Sequence, residues 1–187
     1  LLVALFLGWL AGMAPASAQT RRLNVVCSVQ IEWCELVRKT YQQATGVRMA
    51  VIHRSSIEAL ALLMSERKNP RTDVWFGGTG DPHLQAAEQG LTVEYRSQQF
   101  DNLYPWAQAQ AKRGAFRTVG LYSGALGIAY NPQQIRRLGV EPPRCWKDLV
   151  RPEFERQVMM GNPPSSGTGS LILSALTQVL GEDGAFA

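Results

Sequence analysis

Asp73-Val74-Trp75-Phe76-Gly77-Gly78-Thr79-Gly80-Asp81-Pro82 decides how the rest of the chain is read. A β-branched and aromatic run, the composition of a strand, gives way to glycines around one threonine. Glycine there lets the backbone turn sharply or come close to another group. Asp81 and Pro82 then read as an N-cap followed by proline at the first helical position. A strand that passes through a glycine loop directly into a helix is half of a β-α-β unit.

The same alternation extends upstream. Leu23-Asn24-Val25-Val26-Cys27 reads as a buried strand, and Ile31, Cys34, Val37 and Tyr41 recur at helical spacing. Gly46 stands where a C-cap glycine ends that helix. Val47 to Ile52 is a second β-branched run. Ser55-Ser56-Ile57-Glu58 then matches a capping box ahead of an apolar stripe at Leu60, Leu63 and Met64. Asn69-Pro70 ends this helix, and Gly90 closes the one begun at Asp81. The order β-α-β-α-β-α predicts an α/β fold with a mainly parallel sheet and helices on its faces.

Downstream the pattern loosens. Residues 92–115 carry Tyr95, Phe100, Tyr104 and Trp106, read as packing groups. Phe116 to Tyr122 and Leu126 to Tyr130 read as extended runs, and Gln157 to Met160 as a short strand. Asn131-Pro132 starts a short helix that Gly139 ends, Pro142-Pro143 marks a linker, and residues 170–180 form an amphipathic helix.

The first eighteen residues stand apart. Leu1 to Leu10 are almost wholly apolar, and Pro15 and Ala16-Ser17-Ala18 follow. An apolar stretch ending in small-x-small predicts a partial signal peptide over residues 1–18, cut after Ala18. No initiator methionine precedes it, and the chain is expected to be part of a longer protein. The sequence as a whole is 45% hydrophobic and 18% charged, ordinary for a globular domain. A net charge of +4, scattered and without a basic block, gives no footprint for nucleic acid. Cys27, Cys34 and Cys145 allow one bridge in an exported protein, and spacing leaves open whether Cys27 and Cys34 pair or stay as buried thiols.

Two features carry chemistry. Pro163-Pro164-Ser165-Ser166-Gly167-Thr168-Gly169 lies directly ahead of the last helix. A Ser/Thr/Gly turn there offers free N–H groups, hydroxyls and the positive end of the helix dipole, which suits phosphate, phosphonate, sulfate or carboxylate. The alternative is an ordinary N-cap, and the absence of the lysine of a P-loop excludes that motif. The second feature is the set of loops after the three strands: Ser28-Val29-Gln30, Arg54-Ser55-Ser56 and Gly77-Gly78-Thr79-Gly80. In open parallel sheets ligands sit beyond the carboxyl ends of the strands. The candidate ligand-binding residues are therefore Ser28, Gln30, Arg54, Ser55, Ser56, Gly78, Thr79, Ser165, Ser166, Gly167, Thr168 and Gly169. His53 and His83 lack partners at metal or triad spacing and read as structural or surface groups. No nucleophile elbow or paired acid motif is present, so no catalytic residue, metal ligand or cofactor is assigned.

Taken in order, these residues resemble a known family. Glu32-Trp33-Cys34, Ala44-Thr45-Gly46-Val47, Asp73 to His83, Ile128-Ala129-Tyr130-Asn131-Pro132, Trp146-Lys147-Asp148-Leu149 and Ser165 to Gly169 resemble the ferric-ion-binding branch of bacterial ABC-importer solute-binding proteins, over residues 23–187. The resemblance implies a two-lobed periplasmic-binding-protein-like fold that closes on its ligand by hinge bending. Residues 19–116 would form lobe one and residues 117–187 an incomplete lobe two. It implies a periplasmic, non-enzymatic, monomeric protein whose partners are a small anionic ligand and ABC importer permease subunits. Members that hold ferric ion use a histidine after the first strand, a glutamate after the third and paired tyrosines in lobe two. Here Ile31 and Gly78-Thr79 occupy the first two places, so the lobe-one ligands are unmatched. The expected cargo is an anion bearing phosphate, phosphonate or carboxylate. Fe(III) with a synergistic anion, or a sensor module on the same fold, are the alternatives.

Overall fold

The computed structural model describes residues 22–186. The expected signal peptide at 1–18 lies outside them. Three parallel strands form the sheet, β1 (Arg22–Cys27), β2 (Arg48–His53) and β3 (Val74–Phe76), in the order β2-β1-β3. Arg22 pairs with Arg48 and Cys27 with His53 on one side, and Cys27 with Phe76 on the other. The ladder continues past the strand ends through Asp73 N–H to Asn24 O and Ser28 N–H to Phe76 O, both 2.9 Å. Strand β1, flanked on both edges, is the most enclosed element, with Val25, Val26 and Cys27 buried. Its near-continuous apolar run follows from cover on both faces.

Each strand leads into a helix: α1 (Ile31–Thr45), α2 (Ser56–Ser65) and α3 (Gly80–Glu88). Helix α1 ends at Gly46 in the left-handed conformation, where the Gly46 N–H donates to Gln42 O. It packs on β2, while α2 and α3 pack on each other through the buried Ala59, Leu60, Leu84 and Ala87. Both arms of the capping box on α2 form: Glu58 N–H donates to Ser55 Oγ at 3.2 Å and Ser55 N–H to Glu58 Oε2 at 2.9 Å. Helix α3 departs from expectation. Its N-cap is Thr79, not Asp81, so Pro82 falls at the third helical position. Proline fits there because the first four helical N–H groups have no intrahelical acceptor.

Cys27 and Cys34 form a disulfide, which ties the end of β1 to the first turn of α1; Cys145 is free and exposed. Farther along lie α4 (Pro105–Arg113), α5 (Pro132–Leu138) and α6 (Gly167–Phe186). Asn131 caps α5 through its side chain, and Gly139 ends it in the left-handed conformation. Helix α6 is interrupted at Gly181, where φ is 75° and ψ 170°. The runs at 116–122, 126–130 and 157–160 form no strand: β-branched residues favour an extended backbone, but among the described residues no neighbouring strand pairs with them. Ala115 and Phe116, just after α4, both have positive φ, an uncommon state for residues with a side chain.

Candidate functional site

Because the three strands are parallel, the loops Ser28 to Gln30, Arg54 to Ser56 and Gly77 to Thr79 gather beyond one edge of the sheet. Histidines hold two of them. His53 Nε2 lies 2.7 Å from Val29 O. His83 Nε2 lies 2.8 Å from Gly77 O, and its ring stacks on Trp75 with centroids 3.7 Å apart. Burial lowers the His83 pKa below its ordinary 6.5, so the ring is neutral and donates to the carbonyl near neutral pH. Trp75 in turn donates from Nε1 to Ser28 Oγ at 2.9 Å. Both histidines are therefore structural, as the sequence suggests, and their work is to fix the loops.

The loops lock together and receive the start of α6. Thr79 N–H donates to Ser56 Oγ at 2.9 Å. Ser55 Oγ donates to Ser165 O at 2.6 Å across 110 positions of sequence. A Cβ on Gly78 would run into Ser56 Oγ and stand 3.0 Å from Ser28 Cβ. A Cβ on Gly167 would run into Thr79 Oγ1 and stand 3.0 Å from both Cβ and Oγ of Ser56. The N-termini of α2, α3 and α6 thus meet in direct contact, with the loop before α1 joined to them through Ser28.

The capping of these helices is unequal. Ser55 caps α2, and its N–H holds the Glu58 carboxyl below the usual range. Ser166 Oγ accepts from Gly169 N–H at 3.2 Å. The starts of α1 and α3, at Gln30 and Thr79, receive no side-chain cap. Thr79 Oγ1 is buried and has no hydrogen-bond partner among the described residues. A buried hydroxyl left unpaired costs about 1–3 kcal/mol, and it lies where several helix dipoles place partial positive charge. The exposed Glu32 and Asp81, on the first turns of α1 and α3, offset part of that field.

The twelve sequence candidates divide accordingly. Ser28, Ser55, Ser56, Gly78, Thr79, Ser165 and Gly167 come together, with Ser56 and Gly167 buried, while Ser166 and the buried Gly169 pack against Gly161. Gln30 and Thr168 are exposed. Arg54 stays at the rim, exposed, and donates from Nη1 to His53 O at 2.8 Å. One residue of the cluster was not among the candidates. Tyr122 Oη accepts from Gly78 N–H at 3.0 Å, and Trp33 meets the Tyr122 ring edge-on at 5.7 Å. Its only sequence signal is an aromatic at the end of an extended run.

A trench of about 830 Å³ runs along the free edge of β3, between Trp75 and Phe76 on one side and Val119 and Leu121 on the other. It meets the cluster at Gly77, Gly78, Gly80 and Tyr122. Its lining mixes that sheet edge and apolar side chains with polar groups such as Arg67, Asp73, Gln110 and Arg117. Among the described residues no group of three His, Cys, Asp or Glu side chains is placed to hold a metal ion.

Residues 76–187 match the bacterial extracellular solute-binding protein family. An uncharacterized protein of Haemophilus influenzae is 36% identical over 184 residues, which take in 98% of this chain and 53% of that one. The periplasmic binding protein P5PA superposes with a TM-score of 0.84 at 34% identity, over 89% of this chain and 53% of its own. The periplasmic binding protein AfuA from Actinobacillus pleuropneumoniae, with exogenous fructose-6-phosphate bound, gives 0.84 at 38% identity, over 88% and 52%. Iron-bound HitA from Pseudomonas aeruginosa gives 0.61 at 17% identity over 88% and 51%, a likeness of fold. The chain spans about half the length of these relatives.

Proposed function

The chain belongs to the bacterial extracellular solute-binding protein family, and we propose that it is the periplasmic capture component of an ABC importer for a small phosphate-bearing anion. The observation that carries this reading is the meeting of three helix starts at Ser55, Thr79 and Gly167 around an unpartnered, buried Thr79 hydroxyl. Hydroxyls and N–H groups at helix starts suit an anion, and in this closed arrangement the contact of Gly167 with Thr79 and Ser56 must part to admit it. Gly167 carries no side chain to hold the anion away from the backbone, whereas Gly169 is packed against Gly161 and Pro163. Phosphate matches several donors arriving from different helices better than a planar carboxylate does. The bound fructose-6-phosphate of AfuA supports the same class of cargo.

In this reading residues 19–116 and 117–187 belong to two lobes, and the ligand bridges Thr79 and Ser56 on one to the turn at 165–169 on the other. Opening about the segment that follows α4 would release it to the permease subunits. The role is binding alone, in a monomer exported through residues 1–18. Iron is disfavoured because Ile31 and Gly78 offer no side-chain ligand and the likeness to HitA is slight in sequence. The test is isothermal titration of the full-length protein with hexose phosphates, phosphonates, carboxylates and ferric citrate. Saturable binding of a phosphate ester at one site per chain is expected. No binding of any phosphate or phosphonate, with a visible charge-transfer band on adding Fe(III), would overturn the proposal.

A further inference from the structure

Trp33 and Tyr122 pose a separate question. Tryptophan and tyrosine bury large apolar areas and are costly to leave in water. Yet Trp33 is 50% exposed and Tyr122 39% exposed, although the two rings already touch edge-on at 5.7 Å. Their place in the fold is specific. Trp33 sits in the first turn of α1, right after the loop that carries Ser28, and its N–H donates to Gln30 O at 3.0 Å. The disulfide at Cys34, the next residue, anchors that turn to β1. Tyr122 reaches the anion cluster itself, since its hydroxyl accepts from Gly78 N–H at 3.0 Å and lies 3.3 Å from Gly78 O. The pair therefore forms one continuous aromatic surface that begins at the cluster and runs outward to the start of α1. Trp33 donates no side-chain hydrogen bond to the described residues and lies outside the buried core.

We infer that Trp33 and Tyr122 form the specificity shelf of the site, on which the apolar face of a ring-bearing phosphate ester lies while its phosphate occupies the helix starts. This inference rests on the phosphate reading above and narrows it. Inorganic phosphate would use the donors alone; an ester with a sugar or aryl ring would also cover the exposed aromatic faces. Ring C–H groups and ring π-faces both pack on tryptophan, so the shared requirement is a flat or gently puckered ring one bond or two from the phosphate.

Titrations of the full-length protein with inorganic phosphate, glycerol 3-phosphate, a hexose 6-phosphate and phenyl phosphate test it. In the wild type, at least one ring ester should bind tenfold or more tightly than inorganic phosphate or glycerol 3-phosphate. The hexose and phenyl arms tell which ring the shelf takes. Trp33→Ala should weaken the ring ester at least tenfold and change inorganic phosphate less than twofold, and Trp33→Phe should recover most of the loss. Trp33→Leu, paired with a thermal melt, gives a second route should Trp33→Ala unfold. Equal affinities for ring and ringless phosphates in the wild type would overturn the shelf and leave the phosphate site standing. So would equal losses for both ligands in folded Trp33→Ala or Trp33→Leu. Failure of every phosphate to bind the wild type would remove the phosphate reading, and the shelf with it.

Discussion

At Gly78 the backbone stands at φ 103°, and a side chain there would enter the space of Ser56 Oγ and crowd Ser28 Cβ. Gly78→Ala meets both obstacles. Backbone strain of this kind costs about 1–3 kcal/mol, so a lower unfolding midpoint in urea and loss of ligand binding are expected together. An unchanged midpoint would show that the loop shifts freely. His83 makes a prediction of another kind. Its pKa in the folded protein is lowered by burial, with the Gly77 carbonyl opposing that shift. As pH falls through the ordinary value of 6.5, the unfolded chain takes up the proton first. Stability is thus full above 6.5 and declines between 6.5 and the lower folded value. Urea melts across that interval should slope downward toward acid in the wild type, and less so in His83→Gln. Parallel slopes would assign the acid sensitivity to other groups.

Among the elements, helix termini were the most legible part of the sequence. Ser55 with Glu58, Gly46, Asn131 and Gly139 all act at the ends their chemistry indicates, because a cap is a contact within four residues. Asp81-Pro82 misled by two positions, since proline is tolerated anywhere in the first turn and Thr79 lies earlier. The runs near 119, 128 and 158 could be read as extended but not as paired, since pairing depends on strands elsewhere. Ser55 joins two levels, capping α2 and donating to Ser165 O. Replacing an N-cap serine by alanine costs about 0.5–2 kcal/mol. Ser55→Ala should therefore lower stability by that amount and also weaken ligand binding, because the turn at 165–169 loses its tie to α2. Chemical denaturation and titration of the same sample separate the two effects. A stability loss with unaltered affinity would reduce Ser55 to a helix cap.

For the molecule as a whole, the α/β order and the parallel sheet were readable from three repeats of strand, loop and helix. The part of the cluster built on the loops after β1, β2 and β3 followed, because loops at the carboxyl ends of parallel strands lie on the same side of the sheet. What sequence could not give was contact across distance: Ser55 with Ser165, Gly167 with Thr79, and Tyr122 with Gly78, 44 positions apart. Nor did it foresee that Arg54 would stay at the rim, bonded to the carbonyl beside it. The most direct measurement is calorimetric titration of a phosphate ester into full-length Gly167→Asp, with Ser97→Asp as the control away from the cluster. Aspartate at 167 would place a side chain against Thr79 and a negative charge where the phosphate sits. Binding should be lost in Gly167→Asp and retained in Ser97→Asp, with both proteins folded. Wild-type affinity in a folded Gly167→Asp protein would contradict the anion site and leave the turn as a helix cap.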